Sequence, residues 1–168
     1  PYKKNIDVPS EDIIIKGGGL APTASIVYRK EILDNPPNFF FESPVGDYPL
    51  VLIVATNGGI YYFNNIMSVY RREVTGSWSD RLSKNVCKKE THYNGLINLL
   101  TNYNKYTNYK YDILIDKKRK TYIADFLLNM AKYSKIMNKS YFKKNIKRLN
   151  VKSKLKIYLQ LYSPLIYN

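Results

Sequence analysis

The sequence predicts an α+β chain, with short strands and a helix in residues 1–80 and a mainly α-helical, basic region in residues 81–168. Three observations carry that expectation. Leu50, Ile53 and Val54 recur at a spacing of three and four between Pro49 and Gly58-Gly59, which marks one helix with a start and a stop. Around it lie short β-branched and aromatic runs, ASIVY at 24–28, IYYF at 60–63 and IMSVY at 66–70, of strand rather than helix length. From about Lys84 onward, apolar stripes follow helical spacing with lysines between them.

In chain order, residues 1–12 (PYKKNIDVPSED) are polar, contain two prolines and read as extended. Ile13-Ile14-Ile15 is an apolar β-branched run that Gly17-Gly18-Gly19 breaks. Ala24–Tyr28 suits a short strand, Arg29–Leu33 a short helix or turn, and Asn35-Pro36-Pro37 a loop. Pro49 is tolerated in a first helical turn, where its missing N–H would have no partner anyway. The runs at 60–63 and 66–70 read as strands around Asn64-Asn65. Four helical stripes follow: Tyr93, Leu96, Ile97, Leu100 and Tyr103; then Tyr111, Leu114, Ile115, Ile123, Phe126, Leu127 and Met130; then Phe142, Ile146 and Leu149; then Leu155, Tyr158, Leu159 and Tyr162. Ser163-Pro164 marks the end of the last helix. No repeat of fixed period is present.

Composition narrows the function. The chain has 168 residues, of which 45% are hydrophobic, enough for one core or for a large piece of a bigger protein. It has no uninterrupted apolar stretch of about 18 residues and so no membrane span. Its start at Pro1, without a signal peptide, reads as a fragment or a processed chain. A single cysteine, Cys87, excludes an internal disulfide and a cysteine zinc site, and a single histidine, His92, excludes a multi-histidine metal site. The net charge is +14, unevenly placed. Residues 1–80 hold seven Lys/Arg against nine Asp/Glu, net −2, whereas residues 81–168 hold twenty against four, net +16. The first region reads as site-bearing and the second as a cationic surface.

Three stretches, in this order and spacing, carry a family likeness: GGGLAPTASIVYR at 17–29, Gly46-Asp47-Tyr48-Pro49-Leu50, and GGIYYFNNIMSVYRREVTGSWS at 58–79. Together, over roughly residues 10–80, they resemble the C-terminal, acceptor-side half of a family 2 glycosyltransferase of the GT-A type. The resemblance implies that residues 1–80 are the acceptor-side part of a catalytic domain and that 81–168 form a helical, basic C-terminal region. It implies a transferase that moves a sugar from a nucleotide-sugar to an acceptor hydroxyl with inversion, in the synthesis of bacterial surface polysaccharide. The complete enzyme of that family uses a divalent cation, Mg or Mn, held by an Asp-x-Asp in a preceding donor-binding half. This chain has no Asp-x-Asp, so donor and cation are expected to bind elsewhere, and the chain is expected to be inactive alone.

By the same resemblance, Asp47 is the base that takes the proton from the acceptor hydroxyl. Read from the residues alone, Asp47 is a helix cap ahead of Pro49. Arg71 and Arg72 could pair with a diphosphate or an anionic acceptor, or form a salt bridge; in an extended segment only one of the two faces a given side. Many relatives carry a histidine where this chain has Glu73, so no metal ligand is assigned. Trp78, flanked by Ser77 and Ser79, could stack on a sugar ring or cover the core. Gly18 and Gly19 could let backbone approach a substrate or form an anion-binding nest, or be a plain loop. Tyr48 lines the acceptor pocket or packs. His92 reads as packing or surface, and Cys87 has no partner for nucleophilic chemistry.

The expected partners are a nucleotide-sugar and a saccharide or lipid-linked acceptor. The lysine-rich amphipathic stretch from Lys139 to Tyr162 adds an anionic membrane surface, with the chain peripheral on the cytoplasmic face. Apolar strands awaiting a neighbouring sheet imply self-association through exposed edges. The competing reading is a basic nucleic-acid-binding or protein-interaction module. No nucleic-acid partner is expected, because no known RNA- or DNA-binding motif is present and that reading leaves the first half unexplained.

Overall fold

A computed structural model describes residues 2–69, 71, 74–83, 85–132 and 139–163. Among these the chain is mostly helical, with one two-stranded antiparallel sheet, α+β in the coarse sense. Strand β1 (Ile6–Val8) pairs with β2 (Ile60–Tyr62), Ile6 opposite Tyr62 and Val8 opposite Ile60. The helices are α1 (Ser10–Lys16), α2 (Asp47–Asn57), α3 (Trp78–Ser83), α4 (Val86–Tyr106), α5 (Asp112–Lys132), α6 (Lys139–Ile146) and α7 (Val151–Tyr162).

The isoleucine run is helical, and so are Ser10, Glu11 and Asp12 before it, which the sequence reads as extended. Glu11 and Asp12 sit in the first turn of α1 and Lys16 in its last, complementing the helix dipole. Ile13 and Ile14 turn inward together, so burial outweighs the β preference of branched side chains. Tyr2 donates to Asp12 at 2.6 Å and Lys16 donates to the same carboxylate at 2.8 Å, tying the extended N-terminus to this helix.

Helix α2 forms where the sequence places it, and its residues from Tyr48 to Ile53 are all buried. A helix apolar on every side belongs inside, and here α1, the two-stranded sheet and the 3-10 turns at Gly17–Leu20, Lys30–Leu33 and Asn38–Phe40 surround it. Ala24–Tyr28 is not a strand. Thr23–Ser25 is a 3-10 turn, because Pro22 removes a donor and the Pro22 carbonyl receives the backbone N–H and the hydroxyl of Ser25 instead. Of the two runs flanking Asn64-Asn65, only the first becomes a strand. Residues 66–69 are outside any ladder, with Ile66, Met67 and Val69 exposed, and Tyr70 lies outside the described residues.

The first apolar core joins Val8, Ile13, Ile14, Leu20, Phe39 and the α2 face to Leu96, Leu99, Leu100 and Tyr103 of α4 and Ile115 of α5. Packing therefore does not divide between residues 80 and 81. A second core lies between α5, α6 and α7, around Phe126, Leu127, Phe142 and Ile157. Long helix α5 belongs to both. The turn that folds it back on α4 holds Asn108 and Tyr109 at positive φ, where the Tyr109 N–H reaches the Asn104 carbonyl at 2.8 Å.

The first three stripes face inward as their spacing predicts. The fourth does not. Ile157 and Gln160 are the buried residues of α7, while Leu155, Tyr158 and Tyr162 are exposed. Replacing Leu52 or Leu127, both fully buried, with alanine is expected to lower the unfolding free energy by about 2–5 kcal/mol each in urea titration. Ile113→Ala, at an 85% exposed position on α5, should change it by no more than about 0.5 kcal/mol.

Candidate functional site

The site is built where α1 ends against the start of α2. Gly17 closes α1 with its N–H on the Ile13 carbonyl and adopts φ 58°, a left-handed conformation that glycine takes at little cost. A Cβ on Gly17 would lie 3.0 Å from the Tyr48 ring. On Gly18 it would lie 2.7 Å from Asp47 Oδ1 and 2.8 Å from Asp47 Cγ. The glycine run thus lets the first turn of α2 press directly on the backbone. The Asp47 carboxylate rests over Gly18. Gly19 is exposed with open space around it.

Asp47 is half-buried, and its Oδ1 accepts the N–H of Tyr48 at 2.7 Å. That N–H is one of the free donors of a helix start, so the negative side chain sits at the positive end of α2. Asp47 lines none of four clefts found on the described surface. Tyr48 is 1% exposed and donates its hydroxyl to the Ile14 carbonyl at 2.6 Å. It packs and positions rather than lining a pocket. Burial pushes its phenol far above the ordinary value.

Tyr122 of α5, a residue the sequence analysis does not single out, lies beside Tyr48 and within reach of the Asp47 charge. Burial first, then the Asp125 and Tyr93 groups and the Asp47 charge, hold its phenol well above the usual range. It has a sequence signal: it follows Ile115 by seven residues, on the same helix face. From Tyr122 an aromatic row leads outward. Tyr93 lies 6.2 Å from it, His92 lies 5.7 Å from Tyr93, and Trp78 lies 5.1 Å edge-on from His92. Trp78 ends the row half-exposed at the start of α3. Half-burial lowers the His92 pKa below its ordinary value, which favours a neutral imidazole. Asp47 and Trp78 are therefore joined through packed rings, although 31 residues of sequence separate them.

Arg71 is exposed, whereas Arg72 and Glu73 lie outside the described residues. Among the described residues, no group of three or more His, Cys, Asp or Glu could hold a metal ion. On the sheet side of α2, a cleft of about 530 Å³ runs from Leu20 and Ile26 past Val54 to Tyr62 and Met67. Beside it Val27 is 95% and Ile66 98% exposed, and Phe63, Met67 and Val69 stand open as well. No helix among the described residues is long and apolar enough to cross a membrane. No family model, curated protein or solved structure matches the chain.

Two outcomes test this architecture. Tyr48→Phe orphans the buried Ile14 carbonyl and should cost about 1–3 kcal/mol in urea titration. Raised phenols of Tyr48 and Tyr122 mean that the unfolded chain binds fewer protons above pH 10.0 than the folded one. Their contribution is complete below that pH and is lost as pH rises beyond it, by about 1.4 kcal/mol per pH unit per tyrosine. Tyr48→Phe should flatten this alkaline decline in unfolding curves.

Proposed function

We propose that the chain is the acceptor-side part of an inverting glycosyltransferase of family 2 and GT-A type, with Asp47 as its base. The observation that carries this reading is the support of Asp47. Its carboxylate is fixed over the Cα of Gly18 and by the Tyr48 N–H, at the end of an aromatic row that surfaces at Trp78. Flat aromatic faces suit the apolar faces of sugar rings.

In the proposed step an acceptor hydroxyl gives its proton to Asp47 while its oxygen attacks the anomeric carbon. The bond from that carbon to the diphosphate breaks, and the nucleoside diphosphate leaves with the bonding pair. A base positioned in this way contributes on the order of 10²–10⁴-fold. Exposed Arg71 offers a guanidinium for an anionic group of donor or acceptor. The divalent cation of the family does not fit the described residues, so no step here runs through it.

The uncovered apolar face around Val27 and Ile66 supports a missing second wall, since such surfaces are expensive to leave in water. The same face would let the chain alone self-associate. In the complete gene product, Asp47→Asn is expected to cut nucleoside diphosphate release by about 10²–10⁴-fold. Gly18→Ala should follow it in direction, because a methyl group there turns the carboxylate away. Near-normal turnover in Asp47→Asn would refute the assignment.

A further inference from the structure

Helices α6 and α7 leave a face whose composition names its partner. Their shared cleft of about 690 Å³ is floored by Phe142, Ile146 and Leu161. Phe142 packs edge-on against Tyr158 at 6.3 Å, and Tyr158 stacks on Tyr162 at the same separation. Lys139, Lys143, Lys147 and Lys154 also line the cleft. The first three follow one another at intervals of four, so they rise along one side. Among the described residues none of the four makes an ion pair. From residue 126 to the end the sequence contains no Asp or Glu, so no carboxylate of this segment is available to neutralise them.

The cleft continues into the outward stripe of α7. Val151, Leu155, Tyr158 and Tyr162 fall at steps of four, three and four, one face of a helix, and all are exposed, from 40% at Tyr158 to 80% at Tyr162. Lys152, Lys154 and Lys156 stand among them. An apolar helical stripe bordered by cations, beside a cationic cleft with an apolar floor, matches a surface that is anionic at its rim and hydrocarbon beneath.

We propose that the α6–α7 face docks on an anionic phospholipid bilayer, with the α7 stripe entering the interface and the four-lysine cleft receiving a lipid phosphate. The apolar floor favours an acyl chain, which Ile146 and Leu161 satisfy, over a base edge, to which they offer nothing. The inference does not rest on the glycosyltransferase reading, and its test uses no turnover.

The test is co-sedimentation of the full chain with vesicles of phosphatidylcholine alone and of phosphatidylcholine with phosphatidylglycerol, at low and high salt. Binding is expected to the anionic vesicles only and to weaken with salt. Each lysine at such a surface is worth about fivefold in partitioning, so Lys143→Gln with Lys147→Gln should lower it roughly 25-fold. The same loss of charge at exposed Lys88 and Lys105 of α4 should leave binding near the parent value. Leu155→Ser with Tyr162→Ser should weaken it at both salt concentrations, and every substituted side chain in these variants except Lys147 belongs to an exposed position on a helix, with Lys147 exposed just beyond α6. Failure to bind anionic vesicles at low salt overturns the proposal, as does an equal loss in the two lysine pairs. So does complete displacement by inorganic phosphate at matched ionic strength, which would leave a phosphate site alone. Salt-sensitive binding of a single-stranded RNA oligonucleotide without vesicle binding would mark the face as a nucleic-acid surface instead.

Discussion

The C-terminus of α1 is the joint on which the arrangement depends. A helix ends with carbonyls that lack partners in the next turn, and burying them unpaired is costly. Here three successive carbonyls are each met from a different part of the chain. Ile13 receives the N–H of Gly17, Ile14 the hydroxyl of Tyr48 from α2, and Ile15 the ammonium of Lys118 from α5. Lys118 also brings positive charge to the negative end of the helix dipole. Burial lowers its pKa, and the charge of Asp125 acts in the opposite sense. One short helix thereby fixes the position of two others, and the carboxylate of Asp47 inherits its place from that fixation.

Much of this was legible in the sequence, and what was not has definite causes. Helix α2 and the inward stripes of α4 and α5 were visible because Leu50, Ile53, Leu96, Leu100, Ile115 and Phe126 recur with a helical period that only one secondary structure satisfies. Ile13-Ile14-Ile15 had no assigned form because three branched residues are too short a run to show a period, and tertiary burial settled it. ASIVY misled because a strand needs a neighbour, and the described chain offers it none.

The site divides along the same line. Asp47 and Tyr48 were visible as a pair, but their opposite fates were not, since one is half-buried and the other enclosed, although they are adjacent. A helix start points successive side chains about 100° apart, so neighbours there rarely share a role. The glycine run announced a close approach without naming what approaches. Tyr122 and Tyr93 join Trp78 to Asp47 only once α4 and α5 are folded together, a relation no local spacing expresses.

The first core also constrains where the chain can be divided. Leu96, Leu99, Leu100, Tyr103 and Ile115 complete the interior that shelters the acid-bearing helix. A cut near residue 80 would split that interior and expose apolar surface on both pieces. The helix that bears the carboxylate and the helices that follow residue 80 therefore complete one interior between them.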